Sequence, residues 1–242
     1  MAEIMPNSKS LKGTKSSRFK SEEEHARNED SRDQQANQAL LEQLNQLFMQ
    51  HGLRKVTMDF AAAELGVSKK TLYKYFSNRP DMVSKTLHWH IEQESCQLVE
   101  IKAEAENAID EMLKVATHVN EQLALLNPNA VLEARQYYPE AWELVENYHR
   151  EHLRETIESN LKAGIREGLY RQDLNPEIIA RLYVGRMDVF FDPEYFPANQ
   201  FRITEVYREF MNYHIRGIAS REGVAYLESR LNQHINEHSK RA

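Results

Sequence analysis

The sequence predicts an all-α protein. Three observations carry that expectation. Apolar residues recur at three- and four-residue intervals in nearly every segment, no stretch alternates apolar with polar residues as a half-buried strand would, and Gly or Pro punctuates the chain at helix-length intervals. With 242 residues, 41% of them hydrophobic, the chain can bury one large core or two modest ones.

Residues 1–33 are polar and charged. Five cations lie between Lys9 and Lys20, and the acidic run Glu22-Glu23-Glu24 follows, a composition that predicts a disordered tail, either inert or a basic arm. Leu40, Leu41, Leu44, Leu47 and Phe48 then mark one face of a helix that stops at His51-Gly52.

Residues 57–76, TMDFAAAELGVSKKTLYKYF, read as two short helices joined by a tight turn. Gly66 supplies the left-handed residue that ends the first, and Ser68 has the small hydroxyl that caps the second, as Thr57 does upstream. Ala62, Leu65, Val67, Leu72 and Phe76 can close over a small core. That leaves Lys69, Lys70, Thr71, Tyr73, Lys74 and Tyr75 outward or along the flank, forming a helix-turn-helix with a basic, hydroxyl-rich second helix. Lysines neutralise phosphates or reach guanine edges, and hydroxyls bond phosphate oxygens or bases, so the face suits DNA. A solvated basic helix in an ordinary bundle has the same periodicity.

Pro80 suits the first turn of a helix, and residues 81–105 read as one long helix through Trp89, Ile91 and Leu98. Residues 108–126 are helical up to Asn127-Pro128, and a short helix covers 130–137 before Pro139. Residues 140–167 form a long helix with Leu153, Ile157, Leu161 and Ile165 at i+4 spacing, closed by Gly168. A turn at 173–176 leads into a helix carrying Ile178, Ile179, Leu182, Tyr183 and Phe190. Pro193 and Pro197 bracket a loop, residues 200–219 are helical, and Val224, Leu227, Leu231 and Ile235 mark a terminal helix.

The run GVSKKTLYKYF followed by Ser77-Asn78-Arg79-Pro80-Asp81-Met82 resembles the signature of the TetR family of transcriptional regulators, over roughly residues 40–87. The resemblance implies an N-terminal three-helix helix-turn-helix domain at 34–85 and a C-terminal helical domain at 86–242 that binds an effector and dimerises. It implies DNA contacts from Thr57, Ser68, Lys69, Lys70, Thr71, Tyr73, Lys74, Tyr75 and Arg79. It also implies a homodimer built on a four-helix bundle of 176–191 and 200–219, a palindromic double-stranded DNA operator, and a small apolar or aromatic effector that releases a repressor. Met112, Trp142, Tyr148, Tyr183, Met187 and Phe190 are placed either to line the effector pocket or to serve as plain core. Two departures stand out: Ala61-Ala62 replace a bulky aliphatic and Ala, with Phe60 free to turn inward, and Arg79 replaces a lysine.

Charge divides along the same boundary. Residues 1–85 carry 14 Lys and Arg against 11 Asp and Glu, whereas 86–242 carry 17 against 26, so phosphate attraction belongs to the N-terminal part. The single Cys, Cys96, excludes an internal disulfide framework and suits a reducing, cytoplasmic setting, and no apolar run suggests a membrane span or signal peptide. His149 and His152 with Glu146, and His234 with His238, have spacings that zinc sites use, but plain histidines are commoner and no metal or cofactor is expected. His88 and His90 flank Trp89 and make no site by themselves. No Gly-rich phosphate loop or nucleophile motif points to an enzyme. The rival readings are a partner-binding module or a small-molecule carrier that has lost DNA binding; neither has a use for the basic second helix.

Overall fold

The computed structural model describes residues 13–127 and 129–239, with side chains over 31–127 and 129–231. Among the described residues there is no strand, only an isolated bridge between Tyr170 and Ala219. Residues 1–12 of the expected polar tail lie outside the described residues, and the rest of it is not a coil: α1 spans Gly13–His51 without interruption. Low hydrophobicity misdirects here, because Glu, Lys, Arg, Gln and Ala are good helix formers and extend a helix already nucleated at Leu40, Leu44 and Phe48.

Gly52, at φ 77°, closes α1. The next two helices, α2 (Met58–Glu64) and α3 (Lys69–Tyr75), begin at capping hydroxyls: Thr57 Oγ1 accepts from Phe60 N at 3.1 Å and Ser68 Oγ from Thr71 N at 3.0 Å. Gly66 takes φ 65° between them, and the Val67 amide returns to the Ala62 carbonyl. α4 (Arg79–Glu104) opens on a reciprocal cap, with Asn78 accepting from Asp81 N and the Asp81 carboxylate accepting from Ser77 N. Leu44, Val56, Leu72, Phe76, Met82 and Val83 pack together as the first core. Phe60 does turn part-way inward, edge-on to His51 at 5.3 Å.

This core does not stop at residue 85. After α5 (Ala108–Leu125), α6 (Ala130–Tyr137) and the start of α7 (Pro139–Tyr148) bring Ala130, Ala134 and Ala141 into it. The expected 140–167 helix is not uniform: α7 passes through a π-helical turn at His149–Leu153 into α8 (Arg154–Arg166). α9 (Pro176–Val184) is shorter than the expected 176–191 helix, since Gly185 weakens the helix and the chain continues as a 3-10 turn, Met187–Phe191. α10 (Ile203–Ile218) and α11 (Arg221–Ser239) complete the chain.

The second core gathers Ile109, Met112, Leu161, Tyr207, Ile215 and Leu227 around Tyr170. The Tyr170 hydroxyl lies 3.0 Å from both the Ala108 carbonyl and Asn160 Oδ1, and Asn160 Nδ2 donates to Ala108 O and Glu111 Oε2 at 2.9 Å each. A satisfied polar cluster of this kind fixes which faces of α5 and α8 meet. The start of α11 approaches so closely that a Cβ on Gly223 would lie 2.0 Å from the Leu169 carbonyl oxygen. Gly223→Ala is therefore expected to destabilise by about 1–3 kcal/mol or more through backbone displacement. Gly217→Ala, whose Cβ meets nothing within 4 Å, is expected to be neutral or stabilising by up to about 1 kcal/mol. Thermal unfolding of the two variants checks the pair; equal midpoints would refute the close approach.

Candidate functional site

On α3, Lys70 and Tyr73 are exposed, Tyr73 with 53% of its surface free, whereas the other candidates make hydrogen bonds or ion pairs within the protein. The other candidates are committed within the protein to different degrees. Lys69 pairs with Asp59 of α2 at 2.5 Å, which raises its pKa, and the Thr71 and Ser68 hydroxyls bond each other at 2.8 Å. Lys74 bonds Asp33 of α1, and so does the Tyr75 hydroxyl, at 2.5 Å; the shared carboxylate raises both their pKa values and is itself held low by Lys74 and Tyr75. Tyr75 is half-buried against the first core, so it braces α3 on α1 rather than standing free. The Lys69 and Lys74 pairs are solvent-exposed and are easily exchanged for phosphate oxygens. The Thr57 hydroxyl is engaged in its cap.

Arg79 is engaged with the backbone of the protein. Its guanidinium donates to the Leu53 and Arg54 carbonyls at 2.5 and 2.7 Å and lies over the Tyr138 ring at 5.9 Å. One nitrogen of the guanidinium, Nη2, is thereby committed to the backbone between α1 and α2. The same segment is held from α6: Glu133 Oε2 accepts from Arg54 N at 2.9 Å, Arg54 lies over the Tyr137 ring at 5.1 Å, and Asn127 N donates to Met49 O at 2.6 Å.

A cavity of 240 Å³ lies between α1, α4, α5, α6, α7 and α9. Trp142, Tyr148, Tyr183 and Met187 line it, together with Phe48 and Met49 of α1. Two expected lining residues do not: Met112 is wholly within the second core, and Phe190 packs edge-on to Tyr207 and Phe210 at 6.2 and 4.8 Å. Periodicity groups residues on one helix face but cannot tell a cavity wall from filled core.

Part of the cavity lining is polar. His90, Glu94, Gln122 and His149 contribute there, and Glu94 Oε1 meets His118 Nε2 at 3.1 Å. Burial lowers the pKa of His90, with His118 adding to the effect and Glu94 opposing it, and burial likewise lowers that of His149. Both rings therefore stay neutral further into the acid range. His88, the partner of His90 in sequence, pairs outside with Glu92 at 3.3 Å. The polar part escaped the sequence reading because His118 and Glu94 are 24 residues apart. Among the described residues no group of three or more His, Cys, Asp or Glu is arranged to hold a metal ion, and no helix is long and apolar enough to cross a membrane. The His234 and His238 side chains lie outside the described residues.

A capped helix-turn-helix with an exposed basic face, carried on an all-helical body, defines a DNA-binding transcriptional regulator. Residues 40–85 match the model of bacterial regulatory proteins of the tetR family. A relative from Bacillus subtilis (strain 168), the uncharacterized HTH-type transcriptional regulator YvaF, is 26% identical over 167 residues, covering 69% of this chain and 87% of its own. The fold resembles a putative transcriptional regulator from Saccharomonospora viridis in complex with choline, at 18% identity over 78% of this chain and 100% of that one, with a TM-score of 0.58. It also resembles the transcriptional regulator FadR from Bacillus subtilis in complex with stearoyl-CoA, at 18% identity over 74% of this chain and 97% of that one, with a TM-score of 0.56.

Arg79→Ala is expected to lower thermal stability by about 1–3 kcal/mol, because it strips donors from two carbonyls at the α1–α2 turn. Lys70→Ala is expected to leave stability within about 0.5 kcal/mol of the parent. Unfolding midpoints that rank the other way would refute the inward assignment of Arg79.

Proposed function

We propose that the protein is a homodimeric repressor, released from a palindromic operator when a small, mostly apolar molecule fills the cavity. One observation carries the reading: the cavity wall includes Asn45, Phe48, Met49 and Leu53 from α1 and its following turn, so an occupant touches the unit that carries the recognition helix. Complexes of fold relatives with choline and with stearoyl-CoA support a small-molecule ligand for a protein of this fold.

In this reading α3 enters the major groove, with Lys70 and Tyr73 as its principal contacts and Lys69, Thr71 and Lys74 at phosphates. Lys70→Ala and Tyr73→Ala are expected to weaken operator binding without loss of fold. If Lys70 meets only phosphate, its loss lowers affinity on all sequences alike and reduces the salt slope by about 1; a base contact instead costs about 1–3 kcal/mol at one position. A gel-shift salt titration on the chain's own upstream DNA is the measurement. Unchanged binding by both variants would refute the interface.

For the dimer, Ile178 and Leu182 stand one turn apart on α9 with about half their surface exposed, 54% and 50%, and Tyr213 of α10 is 70% exposed. Such apolar exposure favours a seam along α9 and α10. Phe210 is half-buried against Tyr183 and Phe190, so it supports that seam from behind. Ile178→Glu or Leu182→Glu is expected to shift a dimer toward monomer in sedimentation at micromolar concentration. A monomeric parent protein would overturn the arrangement.

The ligand acts only through different affinities for the operator-competent and incompetent forms, with typical coupling of about 1–3 kcal/mol. Met187→Trp fills part of the cavity and is expected either to mimic the ligand, lowering operator affinity by roughly 5–150-fold, or to abolish the response to added compounds. Operator affinity measured with and without compounds that raise the melting temperature checks this. A stabilising compound with no effect on DNA binding at saturation, in the parent and in Met187→Trp, would refute the coupling.

A further inference from the structure

The cavity walls are apolar and aromatic over most of their extent, and they hold one acidic side chain, Glu94; no Lys or Arg lines them. Arg135 lies over the Trp142 ring at 5.0 Å, but Asp188 engages it and it is not part of the lining. Glu94 Oε1 takes the His118 ring nitrogen, a bond that a neutral imidazole with its hydrogen on Nε2 makes without a second proton. Oε2 has no partner among the described residues. Burial keeps His90 and His149 toward the neutral form, so neither ring supplies a fixed positive charge.

These observations set a condition on whatever fills the cavity. An apolar occupant displaces water from Glu94 and leaves a carboxylate with half its acceptor sites empty in a dry site, which is costly unless a donor arrives with the occupant. An anionic occupant is worse, since it meets a like charge and no cation. A protonated amine meets all the requirements: it neutralises Glu94, donates an N–H to Oε2, and shares the cavity with the aromatic side chains of Tyr148 and Trp142.

We infer that the effector is a lipophilic amine, its protonated, N–H-bearing nitrogen at Glu94 and its apolar body extending along α7 toward Phe48 and Met49. The inference rests on the reading of the cavity as the effector site and gives that site its ligand class. Glu94 occupies the cavity-facing stripe of α4 with Leu87, His90, Ile91 and Leu98. The cation would therefore be anchored on the helix that begins directly after α3.

Three compounds of one skeleton test it: 4-phenylbutylamine, 4-phenylbutanol and 4-phenylbutanoate, titrated by calorimetry into the full chain and, in parallel, into the chain bound to its operator. The amine is expected to bind at least about tenfold more tightly than the alcohol, with the acid weakest, as a charge-assisted contact requires. Glu94→Gln is expected to erase the difference between amine and alcohol while alcohol binding persists, and Glu94→Asp to keep the order. Melting curves establish that both variants fold, and Glu94→Asp alone suffices if Glu94→Gln does not. Equal or preferred binding of the acid, or an amine preference that survives Glu94→Gln, overturns the inference. Binding of the alcohol with operator release but no amine preference overturns the cationic class and leaves the ligand-responsive repressor standing. No binding by any of the three refutes the amine assignment, and an operator complex that no bound compound perturbs refutes the repressor reading instead.

Discussion

The turn that joins α1 to the helix-turn-helix is held by groups from the opposite side of the fold, and the geometry of the recognition helix depends on that grip. Glu133 of α6 accepts the Arg54 amide, and Asn127 donates to the Met49 carbonyl. Gly52 permits the approach, because its left-handed conformation reverses the chain and a Cβ there would lie 2.9 Å from Glu133 Oε2. Arg79, at the start of α4, closes the same turn from the other direction. Small residues, Ala130 and Ala134, bring α6 into the first core. The DNA-reading unit is thus completed by helices that belong in sequence to the remainder of the chain.

That arrangement gives the cavity two routes to α3. One is α4, which lines the cavity with His90, Glu94 and Leu98 and begins three residues after α3 ends. The other is α6, which lines it with Ala130, Val131 and Ala134 and grips the segment before α2. Two rigid elements leaving one cavity for two ends of the same small unit can rotate that unit if their spacing changes. For two recognition helices on a rigid dimer, rotation alters the separation of half-sites, which must stay near one helical turn, about 34 Å. The acidic balance of residues 86–242 adds no attraction for DNA, so phosphate attraction belongs to residues 1–85.

The helix-turn-helix was legible because its determinants are local. Thr57, Gly66, Ser68 and Asn78 act within four residues of their own positions, and the i, i+4 pattern of Leu72 and Phe76 reports one face of one helix. The cavity was only half legible, and for a physical reason. Trp142, Tyr148, Tyr183 and Met187 line it while Met112 and Phe190 are buried elsewhere, although all six have the same periodic signature. The internal partners of Arg79 and Tyr75 were not legible, because the carbonyls that Arg79 meets are 25 and 26 residues away and Asp33 is 42 from Tyr75. Composition misleads at 13–33, where a scarcity of apolar residues coexists with helix.

The π-helical turn at His149–Leu153 has a consequence for how α7 and α8 share their work. An α-helix advances about 100° per residue, so the one extra residue of a π turn rotates everything beyond it by about that angle relative to an unbroken helix. Before the turn, the inward stripe of Trp142, Val145 and Tyr148 faces the cavity; after it, Ile157 and Leu161 face the second core. The turn acts as a phase shifter, letting one nearly continuous rod serve two interiors that lie in different directions.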